Sequence, residues 1–335
     1  MFILNAWYVA AWSHEVTQVP VSRTICELPV VVFRGHDGMA VALTDRCAHR
    51  GFPLSAGRVV ENTIECGYHG FQYDCAGTCV RVPGQTRIPS KAMVHAYPLV
   101  EKDGWVWIWT GNVALADQTL VPDTHWMNDP QWAAVTHSYR FDCNHSLIHD
   151  NLLDLTHEQF LHGTTVGDDY IVNHPITVAV VGFSVTVDRM MPAVEAPPLY
   201  ASTMTLTGLH DRFHTTEFQV PSHLTLHSGI TGVGRPREEG YLIKVLNAIT
   251  PIDPATSWYY YCFARNFAID DVAATEQLRI GLGVVLDEDA EALRLQQLSL
   301  AGRPTNEHDI LVAHDTGIAR GRRLMAQLLT AESQP

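Results

Sequence analysis

Between Cys47 and Phe71 the chain reads CAHRGFPLSAGRVVENTIECGYHGF, and four of these residues decide how the N-terminal part folds. Cys47 and His49 form one short clip and Cys66 and His69 a second, so the ligand pattern is C-x-H followed by C-x-x-H. Two cysteines and two histidines are also a zinc set, but zinc clips pair like with like, whereas each clip here offers one thiolate and one imidazole. Mixed clips suit a two-iron cluster in which one iron takes both cysteines and the other both histidines. Neutral imidazoles in place of two thiolates lower the negative charge on such a cluster and raise its potential. Gly51, Gly67 and Gly70 allow the loops to fold tightly over it, with backbone N–H groups left to donate to sulfur. Cys75 and Cys79, in DCAGTC, are read as loop thiols because the four positions are already filled.

The surrounding composition is that of an ordinary globular protein. The 335 residues are 46% apolar and 17% charged, ample for two domains. A formal charge of −14 argues against nucleic acid or an anionic membrane as a partner. No apolar stretch approaches the roughly 18–20 residues of a membrane span. The opening MFILNAWYVAAW has neither a basic n-region nor a small-residue cleavage site, so a buried strand is expected rather than a signal peptide. Seven cysteines, an odd number without a secretion signal, point to metal or structural use, and a cytoplasmic location is expected.

Residues 1–112 break short apolar runs, among them LPVVVFRG, MAVALTD and GWVWIWTG, with Gly and Asp turns, which predicts an all-β domain. The character changes after this, so a boundary is placed near Asn112, with a second domain over 113–335. There AAVTHSYRFD reads as a strand and CNHSLIHDNLLDLTHEQFLH as a helix with Asn144 as N-cap. From Ile171 to Phe267 the alternating runs FSVTVDRMM, YASTMTLTGL, TTEFQV, HLTLHSGI, YLIKVLNAIT and SWYYYCFARNF predict an antiparallel sheet. Two helical stretches follow, DEDAEALRLQQLSLAG and TGIARGRRLMAQLLTAES. The fold class is α+β.

A second constellation lies in NLLDLTHEQFLH, which supplies Asn151, Asp154, His157 and His162. Histidines five apart diverge by about 140° on a regular α-helix, whereas a π-type turn would bring them together. Taken alone they are as readily ordinary helix histidines in a chain that holds 18.

Taken together, the two constellations resemble the Rieske non-haem iron oxygenases. CAHRGFPLS and CGYHGFQYD match the cluster motif, and Asn151, Asp154, His157 and His162 fill every position of D/N-x-x-D-x-x-H-x4-H. The likeness runs over nearly the whole chain, through NAWYVAAW, VPGQ and ARGRRLMAQLL. It implies a [2Fe–2S] Rieske cluster on Cys47, His49, Cys66 and His69, and a helix-grip-like catalytic domain with a mononuclear Fe(II) on His157 and His162. Two imidazoles and one carboxylate leave about half of an octahedron open for O₂ and substrate. The carboxylate implied is Asp289 in LDEDAEAL, expected to open the penultimate helix, with Asp287 as its rival. Asp287, Glu288 and Asp289 are also what a helix N-terminus favours electrostatically. Asn151 and Asp154 are the catalytic candidates. By the resemblance, Asp154 would link His69 of the partner subunit to His157, which implies a head-to-tail homotrimer; read alone, Asp154 is equally a first-turn acid.

Within these oxygenases the chain is similar to the single-subunit branch that contains the vanillate O-demethylase oxygenase, with dicamba and toluenesulfonate monooxygenases as relatives. That likeness implies oxidative O-demethylation of a methoxylated aromatic acid such as vanillate, with release of formaldehyde. The electrons would come from an NADH-dependent flavin and iron–sulfur reductase. Hydroxylation of a methyl group or ring of another aromatic compound is the alternative, and a bare electron carrier with an inactive second domain is a third reading. FQVPSHLTLHSG and IKVLNAIT are expected to wall the pocket, with His227 and Asn247 as substrate contacts; strand alternation lets His227 point either way.

Overall fold

The computed structural model describes residues 1–304 and 307–333. The chain divides into two compact units. One comprises Phe2–Asp123 with Thr250–Asp253; the other comprises Thr124–Ile249, the chain from Pro254 onward, and Met1. The stretch after Asn112 stays with the first unit because side chains from its sheets reach it. Trp7 Nε1 donates to the Asp117 carbonyl at 2.8 Å, and Lys102 Nζ to the Pro122 carbonyl at 2.9 Å.

The first unit is built only of strands and short 3₁₀ turns: β1 (Trp7–Trp12), β2 (Val21–Ile25), β3 (Leu28–Arg34), β4 (Ala40–Thr44), β5 (Arg58–Val60), β6 (Thr63–Glu65), β7 (Gln72–Tyr73), β8 (Cys79–Arg81), β9 (Ala96–Tyr97), β10 (Leu99–Lys102) and β11 (Trp105–Trp109). They form three antiparallel sheets, ordered β1-β11-β10, β2-β3-β4-β9 and β5-β6-β7-β8. The aromatic run WVWIW of β11 is wholly buried, as is the β1 strand predicted from the opening residues. Fully apolar strands of this kind need cover on both faces, and the tryptophans of β1 and β11 supply part of it, Trp7 against Trp109 and Trp12 against Trp105, each at 5.5 Å between ring centres.

The second unit is one seven-stranded antiparallel sheet with helices. Its strands are β12 (Ala133–Phe141), β13 (Ile176–Val181), β14 (Ser184–Val194), β15 (His210–Gln219), β16 (His223–Gly232), β17 (Tyr241–Asp253) and β18 (Thr256–Arg265), in the order β12-β18-β17-β16-β15-β14-β13. The helices are α1 (His145–Leu153), α2 (Glu158–Leu161), α3 (Pro198–Met204), α4 (Val272–Leu300) and α5 (Thr316–Glu332). No helix among the described residues is long and apolar enough to cross a membrane.

Three local expectations are corrected. YASTMTLTGL is not a strand: Pro198 sits in the first turn of α3, and the helix stops at Thr205, which adopts the left-handed conformation. The helix containing Asp289 begins at Val272, where the Asp271 side chain accepts from Ala274 N–H, so Asp289 lies deep inside it rather than at its start. Finally, the two histidines are not joined by a π-type turn. Helix α1, capped by Asn144 as expected, ends at Leu153; Asp154 is extended, Leu155–His157 is a 3₁₀ turn, and the single-turn α2 leads to His162.

Candidate functional site

The two clips close with the same backbone pattern. Cys47 N–H donates to the Phe52 carbonyl at 2.9 Å and Gly51 N–H to the Cys47 carbonyl at 2.8 Å. In the second clip Cys66 N–H donates to Phe71 at 2.8 Å and Gly70 N–H to Cys66 at 3.0 Å. Each closure places a glycine at positive φ, +71° for Gly51 and +70° for Gly70, a conformation that costs any other L-residue. The repeated phrase is therefore C-x-x-x-G-F, with the histidine two residues after the first cysteine and three after the second. Both cysteines are buried and both histidines exposed, with the two imidazole centres 4.6 Å apart. Cys47 Sγ lies 3.2 Å from the Tyr73 hydroxyl, which has no competing donor role at Ala48, whose N–H it accepts at 3.1 Å. Paired thiols inside and paired imidazoles outside form a donor set that fits a cluster with its sulfur-bound iron in the core and its histidine-bound iron at the surface.

The second site is assembled by the broken helix and α4. His157 and His162 ring centres are 5.3 Å apart. His157 Nδ1 donates to the Asp154 carbonyl at 2.7 Å, and His162 Nδ1 to the Glu288 carboxylate at 2.7 Å. These bonds leave Nε2 of each ring facing Asp289, whose Oδ1 lies 3.6 Å from His157 Nε2 and 3.2 Å from His162 Nε2. The three donor atoms lie within 4.8 Å of one another. Ligands on one face of an octahedron, each about 2.1 Å from the ion, stand roughly 3 Å apart. His162 Nε2 is buried without a well-directed hydrogen bond, as a nitrogen kept for a metal would be. The donor set and its spacing therefore fit a mononuclear iron. Asn151 Nδ2 donates to Asp289 Oδ1 at 2.9 Å and lies 3.3 Å from His157 Nε2.

Asp289 continues the apolar stripe of α4, buried with Leu278, Leu282, Leu286 and Leu293, whereas Asp287 is exposed. Helical periodicity thus separates the two rivals. Burial draws the His157 imidazole below its ordinary value despite the opposing pull of Asp289, which favours the neutral ring a metal needs. Burial also pushes the Glu158 carboxyl up to about 8, against the opposing pull of Arg212. Asp154 directs its carboxylate to Thr156, and its charge pulls the His157 imidazole up only as a lesser cause beside burial and Asp289. Its Oδ1 accepts from Thr156 N–H at 3.0 Å and its carbonyl holds the imidazole.

An apolar cavity of about 90 Å³ opens beside these donors, between α1, α4 and the faces of β16, β17 and β18. Asn247 lines it, but its side chain is already engaged. Nδ2 donates to the Leu224 and Val245 carbonyls at 3.1 Å, and Oδ1 accepts from the Tyr259 hydroxyl at 2.7 Å. His227 is not brought to the cavity: Leu226 and its partner Val245 face it, so the next pair, His227 and Lys244, points the other way and is hydrogen-bonded together. Sequence reading missed Glu288 as a partner of His162. Its signal was an acid next to one on the buried stripe, legible only once the true start of α4 is known.

The comparisons with known proteins agree with this architecture. Residues 6–98 match the Rieske [2Fe-2S] domain and residues 141–331 the vanillate O-demethylase oxygenase C-terminal domain. The vanillate O-demethylase oxygenase subunit of Pseudomonas sp. (strain HR199 / DSM 7063) is 35% identical over 100% of this chain and 97% of its own. Dicamba monooxygenase bound to 3,6 dichlorosalicylic acid superposes with a TM-score of 0.95 at 29% identity, covering 100% of this chain and 99% of that one. A second structure of that enzyme, with non-heme iron and dicamba, gives a TM-score of 0.88 at 28% identity over 99% of this chain and 98% of that one. The chain belongs to the vanillate O-demethylase oxygenase family, and is a Rieske-type oxygenase component of the oxidative O-demethylase kind, with a [2Fe–2S] cluster and a mononuclear iron as its cofactors.

Proposed function

We propose that the chain is the terminal oxygenase of a multicomponent system that O-demethylates a methoxylated aromatic compound, with vanillate as the reference acid. The observation that carries this reading is the His157–His162–Asp289 group opening onto an apolar cavity. In this reading Cys47, His49, Cys66 and His69 hold the cluster, and His157, His162 and Asp289 hold the second iron. When bound, that iron supplies O₂ activation, with electrons received by way of the cluster. The protein's own part is positional. Asp154 and Glu288 fix the two imidazole tautomers from their Nδ1 sides, Asn151 steadies Asp289, and the apolar walls hold the methyl group against the donors and keep water out.

The net reaction consumes the aryl methyl ether, O₂, NADH and a proton, and yields the phenol, formaldehyde, NAD⁺ and water. The oxidised methyl carbon leaves as formaldehyde when the hemiacetal C–O bond breaks and the phenol oxygen takes the proton. NADH enters through a separate flavin and iron–sulfur reductase. Three chains in a head-to-tail ring would place Asp154 between His157 and His69 of the partner subunit.

The test is turnover of iron-replete protein with a competent reductase, NADH and O₂ on a panel of methoxybenzenes, following formaldehyde and product mass together. Formaldehyde in step with loss of a methyl group is the expected result. Products that gain oxygen and keep every carbon would make the chain a hydroxylase instead.

A further inference from the structure

The cavity beside the iron donors has a chemical bias of its own. Apart from the iron-site donors and Glu158, its walls are aliphatic and aromatic side chains together with Asn247, and no lysine or arginine is among them in the described residues. None of the neighbouring cations lines the cavity: Arg189, whose charge reaches Glu158, is buried on β14 with its Nη2 3.4 Å from His314 Nδ1. Arg212 is buried in an ion pair with Asp168. Lys244 sits on the opposite face of β17 from Val245 and Asn247, bonded to His227 and over the Trp126 ring at 4.9 Å. Arg279 is on the exposed side of α4 and paired with Glu276 at 2.6 Å.

The neutral donors are scarce as well. Both amide hydrogens of Asn247 go to backbone carbonyls, so it has none for a substrate anion. What the wall does present is phenol: Tyr200 and Tyr261 line the cavity, and burial raises both well above the ordinary tyrosine range, so they stay protonated. A phenol can donate one hydrogen bond to an ether, hydroxyl or carbonyl oxygen. It cannot neutralise a carboxylate or sulfonate, and a buried anion without a partner is strongly disfavoured.

We infer that this oxygenase selects an uncharged aromatic substrate carrying hydroxyl, carbonyl or ether oxygens, and discriminates against aryl carboxylates and sulfonates. The inference rests on the proposed reading of this cavity as the substrate pocket. It replaces the methoxylated acid expected from sequence with the neutral members of the methoxyarene class.

The experiment is equilibrium binding to the iron-replete, anaerobic protein at pH 7.5, by calorimetry. The probes are pairs in which a neutral group replaces the carboxylate: 4-hydroxy-3-methoxybenzoate against its methyl ester and aldehyde, and 3-methoxybenzoate against 3-methoxytoluene. The neutral member of each pair is expected to bind at least tenfold more tightly. Val245→Arg, which places a cation on the wall, is expected to reverse the order, while Lys244→Met on the far face leaves it unchanged. Carboxylates that bind as well as or better than their neutral partners overturn the inference, and so does failure of the neutral series to bind at all. The two readings fail separately. Neutral compounds that bind but release no formaldehyde uphold the charge selection and count against O-demethylation. Carboxylates that bind best and release formaldehyde do the opposite.

Discussion

At the scale of single residues, the site depends on hydrogen bonds that orient rings rather than on the donors alone. Glu288 holds His162 Nδ1 at 2.7 Å, so removing that carboxylate frees the ring to rotate and lowers its basicity. Glu288→Ala is expected to weaken binding of the mononuclear iron by about 10–100-fold, while Glu288→Gln, whose amide oxygen can still accept, loses less. Iron titration of the depleted protein measures both, and equal affinities in all three forms would deny Glu288 this part. In the other unit, the Tyr73 hydroxyl 3.2 Å from Cys47 Sγ is placed to donate to a cluster-bound sulfur, which favours the reduced, more negative state. Tyr73→Phe is expected to lower the cluster potential by tens of millivolts, since a hydrogen bond worth about 1 kcal/mol corresponds to roughly 40 mV for one electron. Redox titration followed by visible absorbance reads the shift, and an unchanged potential would show that the bond does not form to the loaded cluster. These residues differ in how legible they were. The cysteines and the clip histidines stand at fixed spacings inside one short stretch, so sequence exposes them. Glu288 was hidden because a carboxylate between two others, in DED, looks like a helix-start cluster until the helix is seen to begin at Val272.

At the scale of elements, the strands were legible from alternation and turns, and the helices less so. Helix α4 escaped sequence reading at its front half because Gly281, Gly283, Val284 and Val285 are weak helix formers, and packing overrides that preference. The glycine has a packing reason: a Cβ at Gly281 would stand 2.7 and 2.8 Å from the Leu199 Cδ atoms of α3. Gly281→Val is therefore expected to destabilise the unit by about 1–3 kcal/mol through overpacking and, because α4 carries Asp289, to loosen the iron. Urea unfolding and iron content together check this; a stable variant with full iron would show that α3 yields without cost. Helix α3 was read as a strand because the run YASTMTLTGL holds three threonines, two of them past the helix's end, which favour β structure, while its seven residues are too few to show a helical period. The break between α1 and α2 was read as a π-type turn for want of a proline or glycine to mark it. What marks it is Asp154, whose carboxylate takes Thr156 N–H and hydroxyl and so starts a new turn.

At the scale of the whole molecule, the proposed ring makes a prediction that no single chain can satisfy. If His69 of the partner subunit serves the iron on His157 through Asp154, a His69→Ala chain and a His157→Ala chain are each inactive alone. Co-assembled, they are expected to regain part of the turnover, because some junctions pair an intact cluster with an intact iron site. Recovery on mixing under subunit exchange, with a three-subunit mass by light scattering, supports the ring; no recovery in verified mixed trimers would place electron transfer within one chain.

The central claim is that one chain carries two distinct iron sites, and that His157, His162 and Asp289 form the second. Its most direct test is iron content per chain, measured with the Rieske absorbance, for the wild-type protein and His162→Ala. The account predicts three irons in the wild type and two in the variant, with the cluster absorbance unchanged. A variant that keeps its third iron, or a wild type that takes up only two, would contradict it.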